Sequence, residues 1–318
     1  MARFIKNTNY HTLAGLENEL TDALGGAAEA ELIEIGLSSE GRPIKAVCFG
    51  SGDFRKPEVL FFGVTHAIEL IGAEASLSIA RSISGGAHSG VLEKINVWIV
   101  PVLNPDGYSA VERRLTTGLG IGYGRANARG VDLNRNFPVA FYHIPTSVFA
   151  GSPFKTSAYY RGEAPCSESE SSAFRDFVLG RNFKTAMAFH SFGSTIMFPY
   201  SHTSSKTADH DRFETIGAEM VALQSKPYKV LAGYKHYSTN GSINDWMYDE
   251  CGILAFLMEI GKLGVAPDKP ETWLNPFYWY NPIDPRNEIE GNVLPACMRL
   301  IGKTAEEYGG EPPAAGCS

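Results

Sequence analysis

Seven stretches of this chain alternate or run apolar over four to nine residues and are bounded by Gly, Pro or Asn. They are ELIEIGLS (31–38), PIKAVCFG (43–50), EVLFFGVT (58–65), INVWIVPVL (95–103), KTAMAFH (184–190), TIMFPY (195–200) and ILAFLMEI (253–260). Rich in β-branched and aromatic residues, they predict strands. SEGRP (39–43) predicts the hairpin turn between the first two. Five segments with helical spacing, 10–24, 68–83, 167–180, 210–224 and 291–307, predict helices. Ser167 and Glu170 have the spacing of a capping box at the start of the third. Strands interleaved with helices predict a mixed α/β sheet covered on both faces. The Gly-, Arg-, Asn- and Pro-rich stretch 104–166 reads as a long functional loop. GGEPPAAGCS (309–318) reads as a flexible tail behind a single domain, 1–308.

Composition narrows the class. With 318 residues, 44% of them hydrophobic, the chain has ample core for one large domain. A net charge of −7 and a pI of about 5.7 leave no basic footprint for nucleic acid. No apolar run reaches the roughly 18 residues of a membrane span, so no membrane partner is expected. The five cysteines are scattered and form no CxxC pair, which points away from a disulfide framework or a cysteine zinc site. With no basic, then apolar leader at the N-terminus, the expectation is a cytoplasmic protein.

Four elements could carry chemistry. His66 and Glu69 follow the strand 58–65, where open α/β sheets build their sites. A short His-x-x-Glu also arises by chance, as a capping Glu beside an incidental His. His190 ends the strand 184–190 and adds a second imidazole; two His and one carboxylate leave a fourth zinc position open, the catalytic arrangement. Glu259, near the end of an apolar run, is either a strand-end Glu that points to solvent or joins a structural ion pair, or a buried general base. GRANARGVDLNRNFP (124–138) gathers Arg125, Arg129, Asn134 and Arg135. Arginine suits bidentate capture of a carboxylate, but surface loops carry the same residues.

Taken in order, THAIE (65–69), NPDGY (104–108), GVDLNRNFP (130–138), FHS (189–191), HYSTNGSINDW (236–246) and MEIG (258–261) resemble the zinc metallocarboxypeptidases, the superfamily of pancreatic carboxypeptidases A and B. The resemblance spans roughly residues 30 to 305. It implies a mixed eight-stranded twisted sheet between helices and one Zn2+ per chain, held by His66, Glu69 and His190. It implies that Glu259 is the general base and that Asn134 and Arg135 grip the substrate's terminal carboxylate. Tyr237, 22 residues before Glu259, matches the tyrosine that closes over the substrate, with His236 the neighbouring candidate. Arg125 is chosen to polarise the scissile carbonyl, because R-x-N-A-x-G before VDLNRNF resembles the shorter bacterial members; Arg113, Arg114 and Arg129 are alternatives. Cis peptide bonds are implied at Ser191–Phe192 and Pro199–Tyr200. Asn244, two before Trp246, matches a position lining the specificity pocket, where an amide suits a polar or amphoteric side chain.

The implied activity is hydrolysis of a peptide's C-terminal amide bond by metal-activated water. A second reading, amidase action on γ-D-glutamyl–meso-diaminopimelate in cell-wall muropeptides, keeps every site residue, because that substrate also has a free carboxylate. The deacylase branch of the superfamily typically lacks NPDGY and a full GVDLNRNF, both present here. A non-catalytic peptide-binding module would have lost the base or a ligand.

Overall fold

The fold was analysed in a computed structural model, which describes residues 2–27, 29–86, 88–118, 124–265 and 268–310. From 311 onward the tail lies outside the described residues.

Eight strands form one sheet: β1 (Ala30–Leu37), β2 (Pro43–Phe49), β3 (Glu58–Phe62), β4 (Asn96–Val100), β5 (Phe183–His190), β6 (Thr195–Phe198), β7 (Lys229–Ala232) and β8 (Leu254–Glu259). Their order is β1-β2-β4-β3-β5-β8-β6-β7. The middle four, β4-β3-β5-β8, run parallel, and antiparallel pairings join them to β2 on one side and β6 on the other. Central parallel strands are covered on both faces, so they read as continuous apolar runs; all five residues of β3 are buried. The alternation then sorts side chains between two cores. Val59 and Phe61 join the core on one face, Leu60 and Phe62 the core on the other.

Among the described residues, seven helices of nine residues or more frame the sheet: α1 (Leu13–Leu24), α2 (Ile71–Ser84), α3 (Pro105–Thr117), α4 (Ser169–Leu179), α5 (His210–Val221), α6 (Ile243–Cys251) and α7 (Leu294–Tyr308). Helices α1, α2, α5 and α7 contribute to the first core, α4 and α6 to the second.

Four expectations need correcting. The stretch 104–166 is not all loop, because its start forms α3. Pro105 occupies the first turn, and the Asn104 side chain accepts from Gly107 N at 2.9 Å. What reads as a turn signal is a helix start, since Pro lacks the N–H that a first turn cannot pair. Helix α6 was not anticipated, nor was β7, whose four residues are too few to show a period. The Ser167–Glu170 capping box does not form. Glu168 takes the N-cap position without a side-chain bond, while the Glu170 carboxylate accepts from Ser39 and Asn127.

The two cis bonds are present, at Ser191–Phe192 and Pro199–Tyr200. The four described cysteines are free.

Helix α2 packs very close to the end of β3. A Cβ at Gly72 would lie 3.1 Å from the Phe189 Cβ, and one at Gly63 would lie 2.8 Å from the Gly72 carbonyl oxygen. Because that neighbour is backbone, Gly63→Ala should lower stability by about 1–3 kcal/mol, read as a shift in the urea midpoint. An unchanged midpoint would mean that the helix has room to move away.

Candidate active site

The site assembles where the parallel strands end. His190 and Glu259 are the last residues of β5 and β8 and face each other in register. His66 and Glu69 lie in the connection from β3 to α2. Glu69 was expected in the first turn of the helix, but α2 begins at Ile71. Glu69 sits in the tight turn before it, its N–H donating to His66 O at 3.1 Å. Asn281 clasps this turn: its Nδ2 donates to Ile68 O at 2.7 Å, and its Oδ1 accepts from Ile71 N at 3.0 Å.

His66, Glu69 and His190 converge. His66 Nδ1 and His190 Nδ1 are 3.0 Å apart, and each lies 2.9 Å from a Glu69 carboxylate oxygen. All three side chains are buried. Ligand atoms of a tetrahedral zinc site with bonds of about 2.0–2.1 Å lie about 3.3 Å apart, so this donor set fits zinc with a small outward shift. The far nitrogen of His66, Nε2, faces Asp132 Oδ1 at 3.2 Å, the carboxylate–imidazole arrangement that orients a metal-binding histidine.

Asp132 also bonds Arg125 and Asn134 and lies near Arg135. Its Oδ2 accepts from Arg125 Nε at 2.6 Å and lies 3.8 Å from Arg135 Nη1, and its Oδ1 accepts from Asn134 N at 3.0 Å. Of the four arginines considered for the carbonyl, Arg125 alone is buried here. Arg113 and Arg114 lie exposed on α3, and Arg129 reaches Glu168 from the surface at 3.6 Å. Arg135 is fully buried. Its Nε and Nη2 both donate to Phe149 O, at 3.0 and 2.9 Å, and its Nη1 donates to Asn134 O at 2.9 Å. The Tyr237 hydroxyl meets the same guanidinium, and a guanidinium fixed in this way is suited to binding a carboxylate. The Tyr237 ring lies 6.0 Å from the Arg135 guanidinium, whereas His236 is exposed. Asn134 Oδ1 accepts from Ile243 N at 3.0 Å, and the next residue, Asn244, donates its Nδ2 to Phe256 O at 2.7 Å.

Residues 26–277 match the profile of the zinc carboxypeptidases. The chain belongs to that family. It is 28% identical over 290 residues to mouse carboxypeptidase A4, covering 83% of this chain and 68% of that protein. To carboxypeptidase B of the crayfish Astacus astacus it is 28% identical over 276 residues, covering 81% and 88%. Among solved structures, carboxypeptidase A from Helicoverpa armigera superposes with a TM-score of 0.76 at 25% identity, covering 95% of this chain and 75% of that one. This zinc carboxypeptidase is therefore a peptide hydrolase whose metal is zinc.

Burial sets the charge states. It pushes His190 down to about 4, with help from His66, so the imidazole is neutral at neutral pH, the form that binds metal. Burial works to raise Glu69, but His66 and His190 outweigh it and hold the carboxylate below its usual range. Glu259 goes the other way: burial and the nearby Glu69 raise it well above an ordinary carboxyl, with Arg125 and Arg135 opposing. Two carboxyl groups pushed apart in this way are suited to different tasks, one to ligation and one to proton transfer.

Several site residues had no signal in the sequence. Asp132 stands inside GVDLNRNFP yet drew no role. Tyr159 lies beside both arginines, with Arg125 at 5.2 Å and Arg135 at 5.7 Å from its ring centroid, and Phe149 packs edge-on to it. No spacing rule tells which aromatic of a long loop will meet a guanidinium. Asp132→Asn should weaken zinc binding by about 10–100-fold, measured by competition with a chromophoric chelator. Unchanged affinity would mean that His66 is oriented without Asp132.

Proposed function

We propose that this zinc carboxypeptidase removes the C-terminal residue of a peptide by the roles assigned below. The carrying observation is Arg135, a buried guanidinium fixed by three N–H bonds beside Asn134 and Tyr237. That guanidinium binds the free carboxylate and places the last amide over His66, Glu69 and His190. When bound, zinc acts as a Lewis acid toward the carbonyl and lowers the pKa of water. Glu259 accepts a proton from the attacking water and returns it to the leaving amine. Arg125, braced by Asp132, donates to the oxygen on which charge develops. Tyr237 covers the terminal residue.

Asn244 points to the side chain preferred. Its Nδ2 is committed to Phe256 O, so the amide presents Oδ1, which is buried without a hydrogen-bond partner. A buried acceptor favours a C-terminal residue that brings a donor. Glutamine, lysine or another residue with a terminal amine qualifies. The same acceptor supports the second reading, because diaminopimelate carries a side-chain ammonium.

Three outcomes are expected. A chelator abolishes hydrolysis and added zinc restores it. Glu259→Gln retains about one zinc per chain, by elemental analysis, and loses at least about 100-fold in kcat; normal turnover would remove Glu259 from the mechanism. Asn244→Asp shifts preference toward cationic C-terminal residues by about tenfold in kcat/KM, read by mass spectrometry on a panel that includes γ-D-glutamyl–diaminopimelate peptides. No shift would place the specificity pocket elsewhere.

A further inference from the structure

A polar cavity of about 310 Å³ lies against the metal-binding turn. Its wall includes Ala67, between His66 and Glu69, and Gly124 and Ala126, the two neighbours of Arg125. The two strips are joined directly, Ala67 N donating to Arg125 O at 3.1 Å. The rest of the wall comes from the β1–β2 turn, through Glu40 and Arg42, and from α3, through Asp106, Arg113 and Arg114.

The charges of this wall are unequally committed. Asp106 is saturated, since its carboxylate accepts from Ser38 Oγ at 2.7 Å, Glu40 N at 2.9 Å and Arg42 Nη1 at 2.6 Å. Glu40 is bonded to the same Arg42 nitrogen at 2.6 Å. Two acids against one arginine leave this cluster with one negative charge in excess. Arg113 and Arg114 are exposed and make no ion pair among the described residues. Their two guanidiniums outweigh that excess and leave the wall with one positive charge in surplus, in a protein whose net charge is −7.

Topology says which part of a substrate reaches it. Arg135, Tyr237 and α6 lie toward the β8-β6-β7 side of the sheet, and the metal-binding residues end β3 and β5 in the middle. The cavity lies toward β4 and β2. A peptide whose carboxylate sits at Arg135 and whose last amide lies over the metal would have its acyl side directed away from Arg135, toward this wall. Resting on the carboxypeptidase reading above, we propose that this cavity is a binding site for a carboxylate on the acyl side of the scissile bond, taken by Arg113 and Arg114. The enzyme then selects acidic substrates: a peptide with Asp or Glu upstream of the scissile bond, or one whose γ-linked glutamyl residue keeps its own α-carboxylate there.

Binding is measured by calorimetry on the zinc-loaded Glu259→Gln protein, so that turnover plays no part. Three ligands share one C-terminal residue and differ only on the acyl side: glutamine, α-linked glutamate, or γ-linked D-glutamate. At low salt at least one acid should bind about tenfold more tightly than the glutamine ligand, and the advantage should shrink at 0.5 M NaCl as screening grows. The Arg113→Gln/Arg114→Gln double substitution, on an exposed helix face, should bring the ratio close to one. Which acid wins identifies the linkage. Equal affinity for all three, or an advantage that survives the double substitution, overturns the proposal. Hydrolysis by the unsubstituted enzyme tests the carboxypeptidase reading separately.

Discussion

One buried carboxylate holds the two halves of this site together. Asp132 bonds the His66 imidazole on one side and the Arg125 guanidinium on the other, receives the N–H of Asn134 and lies beside Arg135. A lone ionised carboxylate at that depth would be costly to bury. Here burial does work to raise its pKa, but Arg125, then Arg135 and His66, more than offset it, so the group stays charged. The same contacts run the other way. Remove the charge, and two buried arginines and a metal-binding histidine lose the partner that aims them. Breaking a buried pair of this kind costs more than the pair contributes when intact.

The sheet supplies the frame on which that carboxylate acts. Its parallel centre ends β3, β5 and β8 at one edge, and the β5–β8 register sets His190 opposite Glu259. Glycines at 63 and 72 let α2 approach the end of β3, which keeps the His66–Glu69 turn short. Gly193 has a similar part at the base: a Cβ there would lie 2.9 Å from the Cβ of Glu259. Gly241 is held at a φ of +68°, and a Cβ would meet Arg135 O at 2.1 Å. Glu259 and Arg135 are therefore both placed against backbone that admits no side chain.

What the sequence shows and what it conceals divide along physical lines. Strand ends were legible because central strands are apolar and stop abruptly at polar residues, so His66, His190 and Glu259 stand out at the edge of buried runs. GVDLNRNFP was legible as a family signature, but a signature does not disclose that Asp132 braces both sides of the site. Short elements with half-exposed faces, such as β7, carry too little period to read. Asn104-Pro105-Asp106-Gly107 has the composition of a turn, and only the packed structure shows α3 continuing from it. Contacts across long loops were out of reach altogether. Tyr159 beside the two arginines, Phe149 O beneath Arg135 and Asn281 across the 68–71 turn each depend on how distant segments fold back. So does the orientation of the Asn244 amide, which is set by a strand carbonyl twelve residues away.

The central claim is that a free terminal carboxylate, taken by Arg135, positions the last amide over the zinc. It is tested most directly by comparing kcat/KM for one peptide with its C-terminus free and the same peptide amidated. Loss of that charged contact should lower kcat/KM at least about 30-fold. Equal cleavage of the two, or cleavage of the amidated peptide at internal bonds, would contradict it.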